Sequence, residues 1–362
     1  MSSSLSVGPD VTLSCEALDR GAQTPGLSVQ PTDAADRALQ HARSALTHLR
    51  DEETPIYGVT TGFGPLHEHE ANTDDAVAQG SGLIAHLATG SGDALPRPVV
   101  RALIVARLQS LAQGHSAIRP DAFDAVADLL RHDVIPAVPE IGSLGASGDL
   151  TPLAHVARVC TGEGRVLTDA NEIRDAGEAL RTAQLSPVSL DARDALALVN
   201  GTALMTGAAA LAVARGQRLL ERAEALTGWM YRLLGCSLAP LDARLHDARG
   251  YDGQSASAAA IRAEATRHGP AEHEDRPLQE VYSLRCAPQI LGAIRDQLSY
   301  VRQQVETELN GVTDNPVIAP DAPAVLHGGN FQGQQVAFAA DALNEALTQM
   351  GVLAERQVDV LL

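Results

Sequence analysis

Lysine is absent from this chain of 362 residues, and all 27 of its basic residues are arginine. Without lysine the chain cannot form the Schiff base that binds pyridoxal phosphate, nor the phosphate contact of a Walker A loop. Aromatic residues are also scarce, at 3%, which disfavours a large sheet because strands are enriched in them. These absences exclude two classes of enzyme and favour a helical fold.

Cysteine is rare, and its four positions, Cys15, Cys160, Cys236 and Cys286, form no CxxC pair. The spacing indicates neither a zinc site nor a disulfide framework, so we expect reduced core residues and no bound metal. No continuous apolar run is long enough to span a membrane, and the N-terminus MSSSLSVGPD lacks the features of a signal peptide. The sequence therefore predicts a cytoplasmic protein with no membrane segment.

Acidic residues dominate the charge, with 45 Asp and Glu and a net charge of -18. An acidic surface repels phosphate backbones and anionic lipids, so we expect no nucleic-acid or membrane partner. Hydrophobic residues make up 45% of the chain, enough to build one large core or two medium ones.

Apolar residues recur mostly at helical spacing, and helix formers dominate, which predicts a mainly α fold. We expect an N-terminal active-site domain with short loops and hairpins over residues 1–200, then a bundle of long helices over 201–362. The predicted helices span residues 33–50, 74–92, 96–113, 120–132, 149–162, 189–198, 203–234, 254–267, 286–311 and 334–362.

Three loops collect the glycine and proline residues, namely 54–65, 136–148 and 313–333. Loops between long helices commonly carry active-site residues, so these segments are the candidates. A polar turn flanked by short apolar runs over 164–175 also predicts a small hairpin.

The last predicted helix carries an apolar stripe that continues to the end of the sequence. Its members recur every three or four residues, and no capping residue follows them: Val336, Ala340, Leu343, Leu347, Met350, Ala354, Val358 and Leu361. We expect a continuation that this chain lacks; the alternative is a terminal helix docked in the core.

The word GSLGASGDLTPLAH, residues 142–155, combines three glycines with the helix-starting sequence Asp149-Leu150-Thr151-Pro152. Taken alone, it predicts a glycine-rich loop that places Ser147 at a helix N-terminus. A serine nucleophile is the other interpretation, although the GxSxG elbow is absent and no His and Asp partners are identifiable.

Six sequence motifs, which we call words, occur in a fixed order along the chain, and the loop at 142–155 is one of them. They are IYGVTTGFGPL at 56–66, GSLGASGDLTPLAH at 142–155, ALVNGT at 197–202, YSLRCAPQ at 282–289, ELNGVTDNPV at 308–317 and HGGNFQGQQVAFAAD at 327–341. With them, nearly the whole chain resembles the aromatic amino acid ammonia-lyases and aminomutases, the family of the histidine, phenylalanine and tyrosine ammonia-lyases.

The resemblance implies a prosthetic group built from the chain itself. In the family, the glycine nitrogen of an Ala-Ser-Gly run attacks the alanine carbonyl, and loss of two waters leaves 4-methylidene-imidazol-5-one (MIO). Here those positions are Ala146, Ser147 and Gly148. The MIO group is an electrophile that needs neither lysine nor metal, which agrees with the absence of lysine.

Elimination of ammonia also requires a base for the β-proton and a clamp for the substrate carboxylate. The resemblance assigns the base to Tyr57, whose phenolate must be stabilised by positive charge or hydrogen bonds. It assigns the clamp to Arg285, whose guanidinium can bind a carboxylate with two hydrogen bonds. A packed loop tyrosine and a surface salt bridge are the structural alternatives.

Further positions match residues around the family's prosthetic ring. Asn200 and Tyr282 match residues flanking the ring and the substrate, and Asn315 and Gln279 match neighbouring hydrogen-bond positions. Phe331 matches a wall of the ring. For Asn315, Gln279 and Phe331, plain structural roles stay open.

Substrate choice in this family is associated with two adjacent residues, which here are His86 and Leu87. Tyrosine ammonia-lyases of bacteria show His-Leu there, histidine ammonia-lyases Ser-His, and phenylalanine ammonia-lyases Phe-Leu. A histidine that hydrogen-bonds the phenol hydroxyl rejects the analogue lacking it. Tyrosine is therefore the favoured substrate, while histidine, phenylalanine and a structural role for His86 stay open.

Family chains are normally much longer, and their remaining region holds an Asn-Gln-Asp/Glu motif that this chain lacks. The resemblance implies a homotetramer acting on a small aromatic amino acid, with the motif supplied by a separate C-terminal polypeptide or not at all. The alternatives to a tyrosine lyase are a histidine ammonia-lyase, an MIO 2,3-aminomutase and an inactive, truncated helical subunit.

Overall fold

A computed structural model describes residues 4–71, 75–145, 148–268 and 277–362. Helices dominate these residues, which confirms the predicted mainly α fold. They are α1 (Cys15–Ala22), α2 (Asp33–Asp51), α3 (Ala76–Leu87), α4 (Arg97–Ala112), α5 (Pro120–Arg131), α6 (Leu150–Cys160), α7 (Ala176–Thr182), α8 (Ala192–Val199), α9 (Ala203–Leu233), α10 (Ala243–Asp247), α11 (Asp252–Thr266), α12 (Tyr282–Arg285), α13 (Ala287–Leu309) and α14 (Gln334–Leu361).

The strands are short and form four small sheets within the described residues. They are β1 (Ser4–Val7), β2 (Ser28–Pro31), β3 (Ser91–Ala94), β4 (Ile135–Pro136), β5 (Pro139–Ile141), β6 (Arg165–Leu167), β7 (Ile173–Asp175), β8 (Val317–Ala319) and β9 (Ala324–Leu326). Strands β1 and β2 pair in parallel, whereas β3–β5, β4–β6–β7 and β8–β9 are antiparallel. The β6–β7 pair is the hairpin that the sequence predicts.

The predicted long helices are confirmed to within a few residues, with one clear overshoot. Helix α3 ends at Leu87, whereas the prediction extends to residue 92, because Ser91 begins a strand that pairs with Ile141 of β5. The short helices α1, α7, α10 and α12 and the strand pair β1–β2 were not predicted.

The described residues divide into two compact units, which we describe separately. The first contains residues 1–211 and 305–337. Its centre is α4, which is buried on nearly every side, as expected for a core helix. Arg101, Arg107 and Gln109 are buried with it and bond to neighbouring segments.

The second unit contains residues 212–304 and 338–362. Glycine allows its helices to approach closely: a Cβ on Gly253 of α11 would lie 2.4 Å from the carbonyl oxygen of Gly292 of α13. A buried polar network joins the same helices to α9, because Glu224 accepts hydrogen bonds from Ser257 at 2.6 Å and from Arg295 at 2.8 Å.

Helix α14 matches the predicted apolar stripe in part. Val336, Leu343 and Met350 are buried, whereas Ala354 and Val358 are exposed. The buried line instead continues through Ala339, Ala346, Leu353 and Gln357. In the second unit, Val358 lines an apolar groove of about 860 Å³ together with Leu226, Trp229, Leu233 and Leu361.

One stretch of the described residues, Ala192–Leu233, is long and apolar enough to pass a membrane-span test based on length and composition. Of its most apolar window, 72% is buried inside the protein, and α8 and α9 meet at a break after Val199. Both features are typical of a buried core helix.

The four cysteines are free, as predicted. Cys15, Cys160 and Cys236 are buried and Cys286 is half-buried. Burial raises the pKa of the Cys160 thiol to about 12, so it is not a reactive thiolate.

Candidate active site

The loop that contains the Ala-Ser-Gly run doubles back on itself. Gly145 and Gly148 form an isolated antiparallel bridge, and the carbonyl oxygen of Gly145 accepts a hydrogen bond from the Gly333 amide at 3.2 Å. Ala146 and Ser147, between the bridged glycines, lie outside the described residues.

Gly148 packs directly against the backbone of Gly201. Its φ is +69°, and an added Cβ would lie 2.4 Å from the Gly201 carbonyl oxygen. The same oxygen accepts a hydrogen bond from the Asp149 amide at 2.6 Å. The words GSLGASGDLTPLAH and ALVNGT therefore meet through backbone atoms, and only glycine fits at residue 148.

Two carboxyl groups lie behind this contact. Asp149 is fully buried and accepts hydrogen bonds from Ser143 Oγ at 2.6 Å and the Met205 amide at 2.9 Å. Glu308 accepts one from Thr202 Oγ1 at 2.5 Å. Burial raises the pKa of both groups, and the charge of Asp149 raises that of Glu308 further.

A buried arginine fixes the segment that follows Glu308. Arg107 donates from Nη1 to the Thr313 carbonyl at 2.8 Å and from Nε to the Ala197 carbonyl at 2.9 Å. Burial lowers the Arg107 pKa to about 10, although the carboxylate of Asp314 opposes the shift. Arg193 binds Asp314 as well, so buried charges hold residues 313–314 beside Gly201.

A chain of hydrogen bonds then connects Asn200 to Tyr57. The Asn200 side chain donates to the Asn315 carbonyl at 2.8 Å, and Asn315 Oδ1 accepts from the Gly328 amide at 2.8 Å. The neighbouring His327 accepts from the Tyr57 amide at 3.2 Å through Nε2. The β8–β9 hairpin thus carries the connection between two predicted site residues.

The phenol of Tyr57 faces an open cavity of about 480 Å³ in the first unit. The Gly64 amide donates to its oxygen at 2.9 Å. Phe63 holds the ring edge-on at a centroid distance of 6.3 Å. The cavity is lined by Pro55, Tyr57, Thr61, His67, Asn315, His327 and Gly328.

The remaining predicted residues of the first unit lie on separate elements. His86 is exposed on the last turn of α3, and Leu87 beside it is half-buried. Phe331 is half-buried in the loop between β9 and α14. None of the three is among the described residues that line the Tyr57 cavity.

Tyr282 and Arg285 come together in the second unit. The guanidinium carbon of Arg285 lies 4.5 Å from the centroid of the Tyr282 ring, within the range of a cation–π contact. Arg285 itself is half-buried, and its Nε is buried and has no acceptor among the described residues. Gln279 is exposed in the loop before α12.

The structure adds candidate site residues that sequence reasoning did not assign. His327 and Glu308 each open one of the six words, and His67 follows the IYGVTTGFGPL word. Position in those words was the available signal for His327 and Glu308, and adjacency to one of them was the signal for His67. Nothing in the linear sequence indicates that His327 bonds to Tyr57.

Comparisons with known proteins identify the family to which this chain belongs. Residues 13–362 match the family described as aromatic amino acid lyase. An MIO-dependent tyrosine 2,3-aminomutase from Streptomyces globisporus is 38% identical over 97% of this chain and 68% of its own length. The crystal structure of tyrosine aminomutase from that organism has a TM-score of 0.90 at 36% identity, covering 98% of this chain and 70% of that one.

Two lyases are similarly related. A probable histidine ammonia-lyase from Halobacterium salinarum is 40% identical over 91% of this chain and 65% of its own length. A tyrosine ammonia-lyase from Cupriavidus metallidurans is 39% identical over 89% and 64%. This chain thus spans about two thirds of the length of these curated relatives. It belongs to the aromatic amino acid lyase family, in which ammonia-lyases cleave a carbon–nitrogen bond.

Proposed function

We propose that this chain is an ammonia-lyase that converts an aromatic L-amino acid, with tyrosine favoured, into the trans-α,β-unsaturated acid and ammonia. The single observation that carries the proposal is the backbone contact of Gly148 with Gly201, at which an added Cβ would lie 2.4 Å from oxygen. It supports a turn in which only glycine fits at residue 148, as the ring-closing position requires. The residues present therefore fit a ring made from Ala146, Ser147 and Gly148.

The MIO group, once formed, supplies an electrophile that withdraws electrons from the substrate, a task for which this chain has no lysine Schiff base. Tyr57 takes the proton from the β-carbon onto its phenolic oxygen, to which the Gly64 amide donates a hydrogen bond. As the β-proton leaves, the Cα–N bond breaks and the amino group departs as ammonia. Arg285 binds the substrate carboxylate through its guanidinium, which the contact with the Tyr282 ring at 4.5 Å helps to orient.

The other predicted residues complete the proposal. Asn200 and Tyr282 flank the ring and the substrate, while Asn315, Gln279 and Phe331 shape their surroundings. His86 hydrogen-bonds the phenol hydroxyl of tyrosine, with Leu87 beside it. The exposed imidazole of His86 is free to accept or donate such a bond.

Intact mass measurement tests the prosthetic group. We expect the purified chain to be two waters lighter than its sequence, and Ser147→Ala to lose at most one water, because it has no side-chain hydroxyl to eliminate. If the wild-type chain has the full mass of its sequence, the MIO group has not formed, and the proposed mechanism is excluded.

Separate incubations with tyrosine, histidine and phenylalanine test the substrate. Ammonia and the unsaturated acid should appear fastest with tyrosine. Release fastest from histidine would instead support the histidine ammonia-lyase alternative, for which the Halobacterium salinarum relative is the favouring observation.

A tyrosine 2,3-aminomutase is the second candidate, favoured by the Streptomyces globisporus relative that matches 97% of this chain. An aminomutase would return the amino group to the β-carbon, so a β-amino acid would accumulate without net ammonia. Chiral chromatography of the tyrosine incubation separates the two outcomes.

We further propose a cytoplasmic homotetramer. An inactive helical subunit is the alternative. Size-exclusion chromatography with light scattering tests the tetramer, and a chain that forms the ring but turns over no substrate would support the inactive subunit.

A further inference from the structure

Helix α12 is too short to hold its own geometry. It spans four residues, Tyr282–Arg285, and a helix of that length gains too few internal hydrogen bonds to be stable. The amides of Leu284 and Arg285 both bond to the Val281 carbonyl. The carbonyls of Ser283 and Leu284 lie at its C-terminal end, where backbone partners are few; the Cys286 amide, which bonds to Tyr282, also reaches Leu284.

Side chains from two long helices satisfy these two carbonyls. Tyr231 of α9 donates its hydroxyl to the Leu284 carbonyl at 3.0 Å, and Gln357 of α14 donates Nε2 to the Ser283 carbonyl at 3.0 Å. Tyr231 is 1% exposed and Gln357 is 7% exposed. Both bonds are therefore shielded from competing water.

Both donors are themselves held in place. Gln357 Nε2 also donates to Thr227 Oγ1 at 3.0 Å, which orients its amide. Burial raises the pKa of the Tyr231 phenol, and the neighbouring Cys236 and Glu280 raise it further, so the hydroxyl keeps its proton. A protonated, buried hydroxyl is a fixed donor for the Leu284 carbonyl.

We propose that Tyr231 and Gln357 are positioning residues that orient Arg285 for the substrate carboxylate. They act through the backbone of α12, since one binds the residue next to Arg285 and the other binds the residue before that. The inference rests on the proposed function, in which Arg285 is the carboxylate clamp. Loosening either bond lets α12 rotate and misdirects the guanidinium, while the rest of the site is left intact.

Binding of two aromatic probes tests this role. 4-Hydroxycinnamate carries a carboxylate and 4-vinylphenol does not. The ratio of their dissociation constants therefore measures how much the carboxylate clamp contributes to binding. We expect Tyr231→Phe and Gln357→Met each to weaken 4-hydroxycinnamate about fivefold, the worth of one hydrogen bond, and to leave 4-vinylphenol unchanged. Tyr300→Phe, the same change at a half-exposed tyrosine, is the matched control.

Equal weakening of both probes, or no weakening, would overturn the positioning role. Arg285→Met separates this failure from failure of the proposed function: if it leaves carboxylate binding unchanged, Arg285 is not the clamp. Hydrogen exchange supplies a readout that needs no ligand. The Leu284, Arg285 and Cys286 amides should exchange faster in Tyr231→Phe and Gln357→Met than in Tyr300→Phe, and unchanged rates would contradict the inference even in a chain that binds neither probe.

Discussion

The imidazole of His327 holds the backbone of Tyr57 by accepting its amide hydrogen at 3.2 Å, across 270 residues of sequence. The accepting atom is Nε2 of the ring, one of the two imidazole nitrogens that can take a hydrogen bond. A hairpin histidine therefore fixes the loop that carries the proposed base.

His327→Leu removes the acceptor and should lower kcat about fivefold while KM changes little, because one hydrogen bond is worth about 1 kcal/mol. His327→Gln should restore most of the rate, since its side-chain oxygen can reach the same amide. His41→Leu is the control: it changes an exposed histidine that faces Asp321 in the turn of the same hairpin. Equal rates for the Leu and Gln variants would contradict a role for the acceptor.

Gly148 and Gly145 provide a matched pair, because both have φ of +69° but different surroundings. Alanine at either position incurs the left-handed backbone cost of about 1–2 kcal/mol. At Gly148 the new Cβ would also meet the Gly201 oxygen at 2.4 Å, whereas nothing lies within 4 Å at Gly145. We therefore expect Gly148→Ala to lose more unfolding free energy in urea than Gly145→Ala.

The same two variants should differ in mass. Gly148→Ala should retain both waters in most molecules, while Gly145→Ala should lose them as the wild type does. Identical stability and identical mass in the two variants would show that the contact with Gly201 is not constraining.

Glu308 should make stability depend on pH. Its pKa is raised on folding, mainly by burial, so the folded state binds the proton more tightly than the unfolded chain. Unfolding free energy should therefore fall as the pH rises from about 4.3, the ordinary value for glutamate, through the higher folded value.

Glu308→Gln keeps an oxygen for Thr202 and removes the ionisation. Its stability relative to the wild type should increase between about pH 4 and pH 8 in urea titrations, whereas exposed Glu172→Gln should show no such trend. A relative stability of Glu308→Gln that decreases with pH would mean that the carboxylate form is the favoured one.

His86→Phe should move substrate preference from tyrosine towards phenylalanine. A site that hydrogen-bonds the substrate hydroxyl loses its discrimination when that partner is removed, so the ratio of kcat/KM values should change by at least about tenfold. His48→Phe, at another exposed helical histidine, should leave the ratio as it is. An unchanged ratio of kcat/KM values in His86→Phe would show that His86 does not contact the substrate hydroxyl.

Local periodicity predicted the long helices because each one buries a face that its own residues define. The end of α3 was misplaced because β3 depends on Ile141, far along the chain. The same limit applies to the site: Asn200 and Tyr57 are recognisable in their sequence words, but their connection through Asn315 and His327 is made by tertiary contacts. Short α12 was missed because Tyr231 and Gln357, rather than its own residues, hold it.

The seating of Gly148 against Gly201, itself packed on Thr313, joins three segments that are distant in sequence. Contacts of such high sequence separation are costly to form and require the intervening chain to be in place. Under the proposed chemistry, the loss of two waters is irreversible, whereas folding is not. A molecule that is two waters lighter than its sequence would then be one whose first unit had folded at least once. The lower mass would still be measurable after the protein has been denatured.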